Sequence, residues 1–103
     1  MSSFERVTLD TTANVYFGGL CVSHTFHTED GERKSTGVIF PATLTFGTAA
    51  PETMDIERGT CRIRIAGSDE WSSYTAGESF DVPGDSSFDI EVTELVGYVC
   101  HYR

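Results

Sequence analysis

A chain of 103 residues with 16 acidic and 7 basic side chains carries a formal charge of -9 and has a pI near 4.5. That length holds one core but not two, and 39% apolar with 12% aromatic residues excludes a disordered chain. So acidic a chain repels the backbone of a nucleic acid unless its cations cluster, and its one basic doublet, Arg33-Lys34, stands among Glu29, Asp30 and Glu32.

Short runs of period-two alternation, broken by turn residues about every ten positions, predict an all-β sandwich or barrel. Val15 to Phe17 and Leu20 to Thr28 read as strands joined at Gly18-Gly19. Asp30-Gly31 marks a hairpin, because both residues tolerate positive φ. The next strand runs from about Ser35 to Phe40 and continues beyond Pro41 through Thr43 to Gly47, before Pro51 redirects the chain. Met54 to Glu57 is expected to pair with Thr60 to Ile65 across Arg58-Gly59. In the latter strand Cys61, Ile63 and Ile65 share one face, and Arg62 and Arg64 the other. Gly67-Ser68-Asp69 turns into Trp71 to Tyr74. Phe80 to Val82 and Phe88 to Val92 predict a second hairpin across Pro83-Gly84, and Gly97 to Tyr102 closes the sheet. Helical periodicity is absent over any useful length. About ten strands in one small domain fit a double-sheet jelly roll or barrel, which protects most strand edges.

The start, Met-Ser-Ser-Phe-Glu-Arg, has no basic region leading into an apolar run, and no apolar stretch approaches a membrane span. Cys21, Cys61 and Cys100 are odd in number and widely separated, which reads as buried thiols in a reducing compartment. A cytoplasmic protein with no membrane partner is expected.

Two spacings stand out. Gly37 is followed after five residues by Thr43-x-Thr45, then Glu52, and after six more residues Gly59; Gly77 is followed after five residues by Pro83, with Phe88 five positions beyond. This resembles the two-part signature of the cupin barrel, with Thr43, Thr45 and Phe88 where metal-binding histidines normally stand. More narrowly, Val15-Tyr-Phe-Gly-Gly-Leu, Lys34-Ser-Thr-Gly-Val, Phe46-Gly-Thr-Ala-Ala-Pro-Glu-Thr-Met54, Gly67-Ser-Asp-Glu-Trp71 and Ala76-Gly-Glu-Ser-Phe-Asp-Val-Pro-Gly84 are similar to the small, histidine-poor cupins known as pyrimidine/purine nucleoside phosphorylases. The resemblance covers Asn14 to the C-terminus, leaving residues 1–13 as an N-terminal segment ahead of a single cupin-like jelly-roll barrel over 14–103. It implies a homodimer that splits many nucleosides with inorganic phosphate as co-substrate, with no metal and no organic cofactor.

Phosphorolysis needs phosphate held near the anomeric carbon, support for an oxocarbenium-like sugar, and a stabilised leaving base. Thr43 and Thr45 share a strand face, which in the cupin register is the cavity; Thr43 would contact substrate and Thr45 assist catalysis. Glu52 is the expected catalytic carboxylate on the ribose side. Phe46, Met54, Phe88 and Tyr98 are expected to form the wall against which a base stacks, with Tyr16 and Phe17 as further candidates. Lys34, Ser35 and Thr36, with Arg33 adjoining, form a basic and hydroxyl-rich step expected to bind phosphate. Arg62 and Arg64 would supply a cavity cation only if the inward face of their strand were reversed. His24 and His27 lie on opposite faces of one strand and cannot readily share a metal. The alternative function is a non-catalytic cupin that binds a small metabolite.

Overall fold

The alternating runs become eleven strands, every pair of them antiparallel, in a computed structural model that describes residues 2–103. The first four are β1 (Thr8–Leu9), β2 (Asn14–Tyr16), β3 (Cys21–His27) and β4 (Arg33–Ile39). Then come β5 (Ala42–Thr48), β6 (Glu52–Arg58), β7 (Thr60–Ile65) and β8 (Ser72–Thr75). The last three are β9 (Ser79–Val82), β10 (Ser86–Val92) and β11 (Val96–Tyr102). One sheet of seven strands runs β1-β3-β4-β11-β6-β9, with β2 also paired to β3. The other runs β5-β10-β7-β8. Phe17 to Gly19 make a single 3-10 turn, and no helix among the described residues is long and apolar enough to cross a membrane.

The two sheets face each other across one core, the jelly-roll arrangement expected from the sequence. Ile39, Ile56, Val82 and Val96 from the larger sheet meet Ile90 and Cys61 from the smaller, all of them fully buried. Each inward position alternates with an outward one. In β7, Cys61 and Ile63 are buried, while Arg62 and Arg64 bond Glu91 and Asp89 on the outer face. Those arginines are therefore not cavity cations.

Two expected hairpins are corners instead. β6 pairs with β11 and β9, whereas β7 pairs with β10 and β8, so Arg58-Gly59 carries the chain from one sheet to the other. Pro83-Gly84 likewise joins β9 in the larger sheet to β10 in the smaller. The physical reason is layering: Met54 and Ile56 bury against the opposite sheet, which Cys61 and Ile63 belong to, and side-by-side pairing would not stack them. β11 does not close an edge either; it lies at the middle of its sheet between β4 and β6. Proline at 41, without an N–H to donate, marks the same kind of sheet change between β4 and β5.

Candidate functional site

Register fixes what the larger sheet shows to the interior. Ser35 of β4 lies opposite Cys100 of β11, which lies opposite Met54 of β6, and Tyr102 lies opposite Glu52. Two residues further along β4, Gly37 pairs with Ser23 and with Tyr98. From the smaller sheet, Phe46 of β5 and Phe88 of β10 are direct partners. All of these but Ser35 and Gly37, together with Tyr16, Ile39 and Gly47, line a cavity of about 180 Å³ between the sheets.

One end of the cavity is aromatic. Phe46 and Phe88 stack at 5.7 Å, while Tyr16 and Phe17 meet Phe46 edge-on at 6.3 and 5.3 Å. Phe17 holds a positive φ of 52°, next to Gly18 and Gly19 in the same left-handed region, and both Tyr16 and Phe17 are exposed. Positive φ in a bulky residue is unusual, and here it turns the ring back onto Phe46.

The other end is polar. Tyr102 and Ser35 share a hydrogen bond of 2.9 Å, and the Arg33 guanidinium lies 4.3 Å from the centre of the Tyr102 ring. The Cys100 thiol donates to Glu52 at 3.5 Å. Burial raises the Glu52 pKa above the usual carboxylate value; the Cys100 hydrogen bond and the Arg33 charge pull against that rise. Burial and the neighbouring Glu52 push Cys100 up to about 12, and burial above all lifts Tyr102 to about 12. Burial also raises Tyr98, whose hydroxyl stands 3.5 Å from Cys21 Sγ. The interior thus favours neutral forms, with one carboxyl group among hydroxyls and a thiol.

The structure brings Glu52, Met54, Phe46, Phe88 and Tyr98 together on this cavity. It turns Thr43 and Thr45 the other way. Both are exposed, and Thr45 donates to Asp89 at 2.6 Å on the outer face, while Leu44 and Phe46 point inward. The motif reading was one residue out of phase, and a single-residue slip exchanges the faces of a strand. The Lys34 step is divided for the same reason. Ser35 is buried inward with 2% exposure, whereas Lys34 and Thr36 face outward. Lys34 Nζ lies 2.7 Å from His101 Nδ1, and His101 Nε2 lies 2.6 Å from Asp55. Thr36 donates to the Tyr98 carbonyl at 3.0 Å. Cys100, Tyr102 and Ser23 were missed. Alternation through Tyr98, Cys100 and Tyr102 carried the signal, but Val99 is also buried and hides the phase.

Among the described residues, no three His, Cys, Asp or Glu side chains are grouped so as to hold a metal ion. One half-buried carboxyl beside a thiol that stays protonated is a poor donor set for the transition metal of other cupin barrels.

Residues 11–102 match the family model described as pyrimidine/purine nucleoside phosphorylase. A protein of that name from Cupriavidus metallidurans is 63% identical over 102 residues, 99% of each chain. A crystal structure of a protein of unknown function (DUF1255) from Acinetobacter sp. ADP1 superposes with a TM-score of 0.96 at 51% identity, covering 98% of both chains. At the level of fold alone, the EutQ protein of Clostridium difficile matches 82% of this chain and 70% of its own with a TM-score of 0.64 and 18% identity.

Proposed function

The chain belongs to the pyrimidine/purine nucleoside phosphorylase family, and from that premise we propose that it cleaves purine and pyrimidine nucleosides with inorganic phosphate, giving free base and ribose or deoxyribose 1-phosphate. The observation that carries this reading is one cavity holding a carboxyl group of raised pKa, Glu52, and an aromatic wall, Phe46 with Phe88 and Tyr16.

In the proposed reaction an oxygen of hydrogen phosphate bonds to C1 of the sugar as the C1–N bond breaks, and the bonding pair goes to the base. Glu52 in its acid form gives the departing base a proton and takes one back from the phosphate. The proton that enters on hydrogen phosphate therefore leaves on the base. Burial of Glu52 supports this role by favouring the acid form.

A cavity of about 180 Å³ is smaller than the roughly 300–1,000 Å³ of pockets that enclose a drug-sized ligand. Sugar and phosphate enter, in this reading, while the base rests at the exposed aromatic end against Phe46 and Tyr16. Every base has a π-face, so stacking tolerates purines and pyrimidines alike. Phosphate is the co-substrate and no metal or organic cofactor takes part; a cytoplasmic homodimer completes the proposal, and sedimentation of the purified protein reads its dimeric state.

The test is incubation of purified protein with adenosine or uridine, with and without phosphate, before and after chelation. Base release from both nucleosides that requires phosphate and survives chelation is expected. Binding without turnover would identify a metabolite-binding cupin instead.

A further inference from the structure

Of the seven basic side chains, six are directed away from the cavity. Arg6 lies 4.0 Å from Glu29, and Lys34 bonds His101 on the outer face of the larger sheet. Arg58 lines a groove on that same outer face, beside Val38 and Val99. Arg62 and Arg64 pair with Glu91 and Asp89 outside the smaller sheet. Arg103 reaches the outward hydroxyl of Thr53 at 3.4 Å.

Arg33 is different. It is the inward-phased residue at the start of β4, two positions from the buried Ser35. Its guanidinium lies over the Tyr102 ring, and its charge is felt by both Glu52 and Cys100 across the polar end of the cavity. Among the described residues it makes no ion pair, in a chain with 16 acidic side chains. A planar guanidinium with its donors uncommitted, steadied on an aromatic face, matches the oxygens of a phosphate.

We propose that Arg33, with the hydroxyls of Ser35 and Tyr102 beside it, seats the inorganic phosphate at the polar end of the cavity. The assignment deepens the phosphorolysis reading and rests on it. It also gives phosphate a second effect. An anion on Arg33 brings negative charge near Glu52 and neutralises the cation that opposes its acid form. Binding of the co-substrate therefore holds Glu52 protonated, ready to donate to the base.

The experiment measures inorganic phosphate binding by titration calorimetry, without nucleoside, to the native chain and to Arg33→Ala and Arg33→Lys. Thermal unfolding of each variant confirms that it is folded. The expected result is weakening by about 10- to 100-fold for Arg33→Ala, the range of one lost charge-assisted contact, with Arg33→Lys between. In steady-state phosphorolysis the phosphate KM rises by the same factor and the nucleoside KM stays within about 2-fold. Equal affinity in the native chain and Arg33→Ala overturns the proposal, as does a native chain that binds no phosphate. Arg33-dependent binding without base release from any nucleoside leaves the seat standing and removes the phosphorolysis reading.

Discussion

Cys100 Sγ stands 3.5 Å from Glu52 Oε1, so the one carboxyl group of the cavity has a thiol as its hydrogen-bond donor. Cys100, pushed up to about 12 by burial and by Glu52 itself, stays protonated at neutral pH and is the donor toward the carboxyl group. That bond favours the ionised carboxylate and partly offsets the effect of burial on Glu52. Cys100→Ala removes it, and the Glu52 pKa then rises further. Activity depends on the acid form in the proposed reaction and falls as pH rises through that pKa. The alkaline limb of the kcat/KM profile is therefore expected to move to higher pH in Cys100→Ala. An unmoved limb would separate Glu52 from the proton transfer.

Glu52→Gln separates chemistry from stability. Loss of a general acid costs about 100-fold or more in kcat, so base release should fall at least that far. Stability should move the other way. The folded-state pKa of Glu52 lies above its unfolded value, so its contribution is fully present below the unfolded pKa and is lost as pH rises through the folded one. At neutral pH the native chain carries that loss and the amide does not. Glu52→Gln is expected to unfold at higher temperature than the native chain at pH 7 to 8, with the difference shrinking toward pH 4. A variant both inactive and less stable at pH 8 would show that the carboxylate is a structural group.

Strand positions and faces were legible wherever apolar alternation was unambiguous, as in β7, whose Cys61 and Ile63 go inward and Arg62 and Arg64 outward. Strand partners were not. Alternation states which side a residue faces, not which strand lies beside it, and Arg58-Gly59 reads as a hairpin turn although it is a corner between sheets. At the site, Leu44 and Phe46 marked the inward face of β5 correctly, but motif spacing outweighed that pattern and placed Thr43 and Thr45 inside. Lys34, Ser35 and Thr36 were grouped as one edge, which consecutive strand residues cannot form. Glu52, Phe46, Met54, Phe88 and Tyr98 were legible as cavity-lining positions because proline-bounded strand starts and apolar runs are local signals.

The glycines of the motif have a packing cause that spacing alone did not reveal. A Cβ at Gly59, where φ is +82°, would fall well inside van der Waals contact with the Leu95 carbonyl. At Gly37 it would collide with the Val22 carbonyl and the Ser23 side chain of the neighbouring strand. Neither obstacle is a flexible side-chain tip that could swing away freely. Gly59→Ala adds left-handed strain to the collision, so it should cost roughly 2–5 kcal/mol, read as a lower urea midpoint. Gly67→Ala, where a Cβ meets nothing within 4 Å, bears the strain alone and is expected to cost about 1–2 kcal/mol.

Phe46 and Phe88 stack on each other but differ in exposure, and their substitutions should diverge. Phe88 is 3% exposed and also meets Phe80 at 5.9 Å, within the core. Phe88→Ala leaves a cavity there and should cost about 3–5 kcal/mol of stability. Phe46 is only partly buried, with Tyr16 and Phe17 on its open side. Phe46→Leu retains much of the packing and removes the π-face. It should raise the KM of adenosine and uridine together by about 5-fold or more, given stacking worth roughly 1–3 kcal/mol per base. A rise for one nucleoside alone would show that specificity comes from hydrogen bonding to the base edge.

Lys34 decides between the phosphate step read from the sequence and the seat read from the structure. It is 7% exposed, on the outer face of the larger sheet, and donates to His101 Nδ1 at 2.7 Å. That bond leaves the other ring nitrogen to carry the proton toward Asp55 at 2.6 Å, so the three side chains form a continuous chain across β4, β11 and β6. Phe4, packed on Phe26 at 5.1 Å and near His101 at 6.5 Å, covers part of it. Removing the lysine leaves a largely buried ring nitrogen without its donor, at about 1–3 kcal/mol. Lys34→Met keeps the aliphatic length and removes only the charge and the donor. It should therefore lower the unfolding temperature and leave the phosphate KM within about 2-fold of the native value. If the phosphate KM rises 10-fold in a variant that is otherwise folded, the anion is bound on the outer face and not at Arg33.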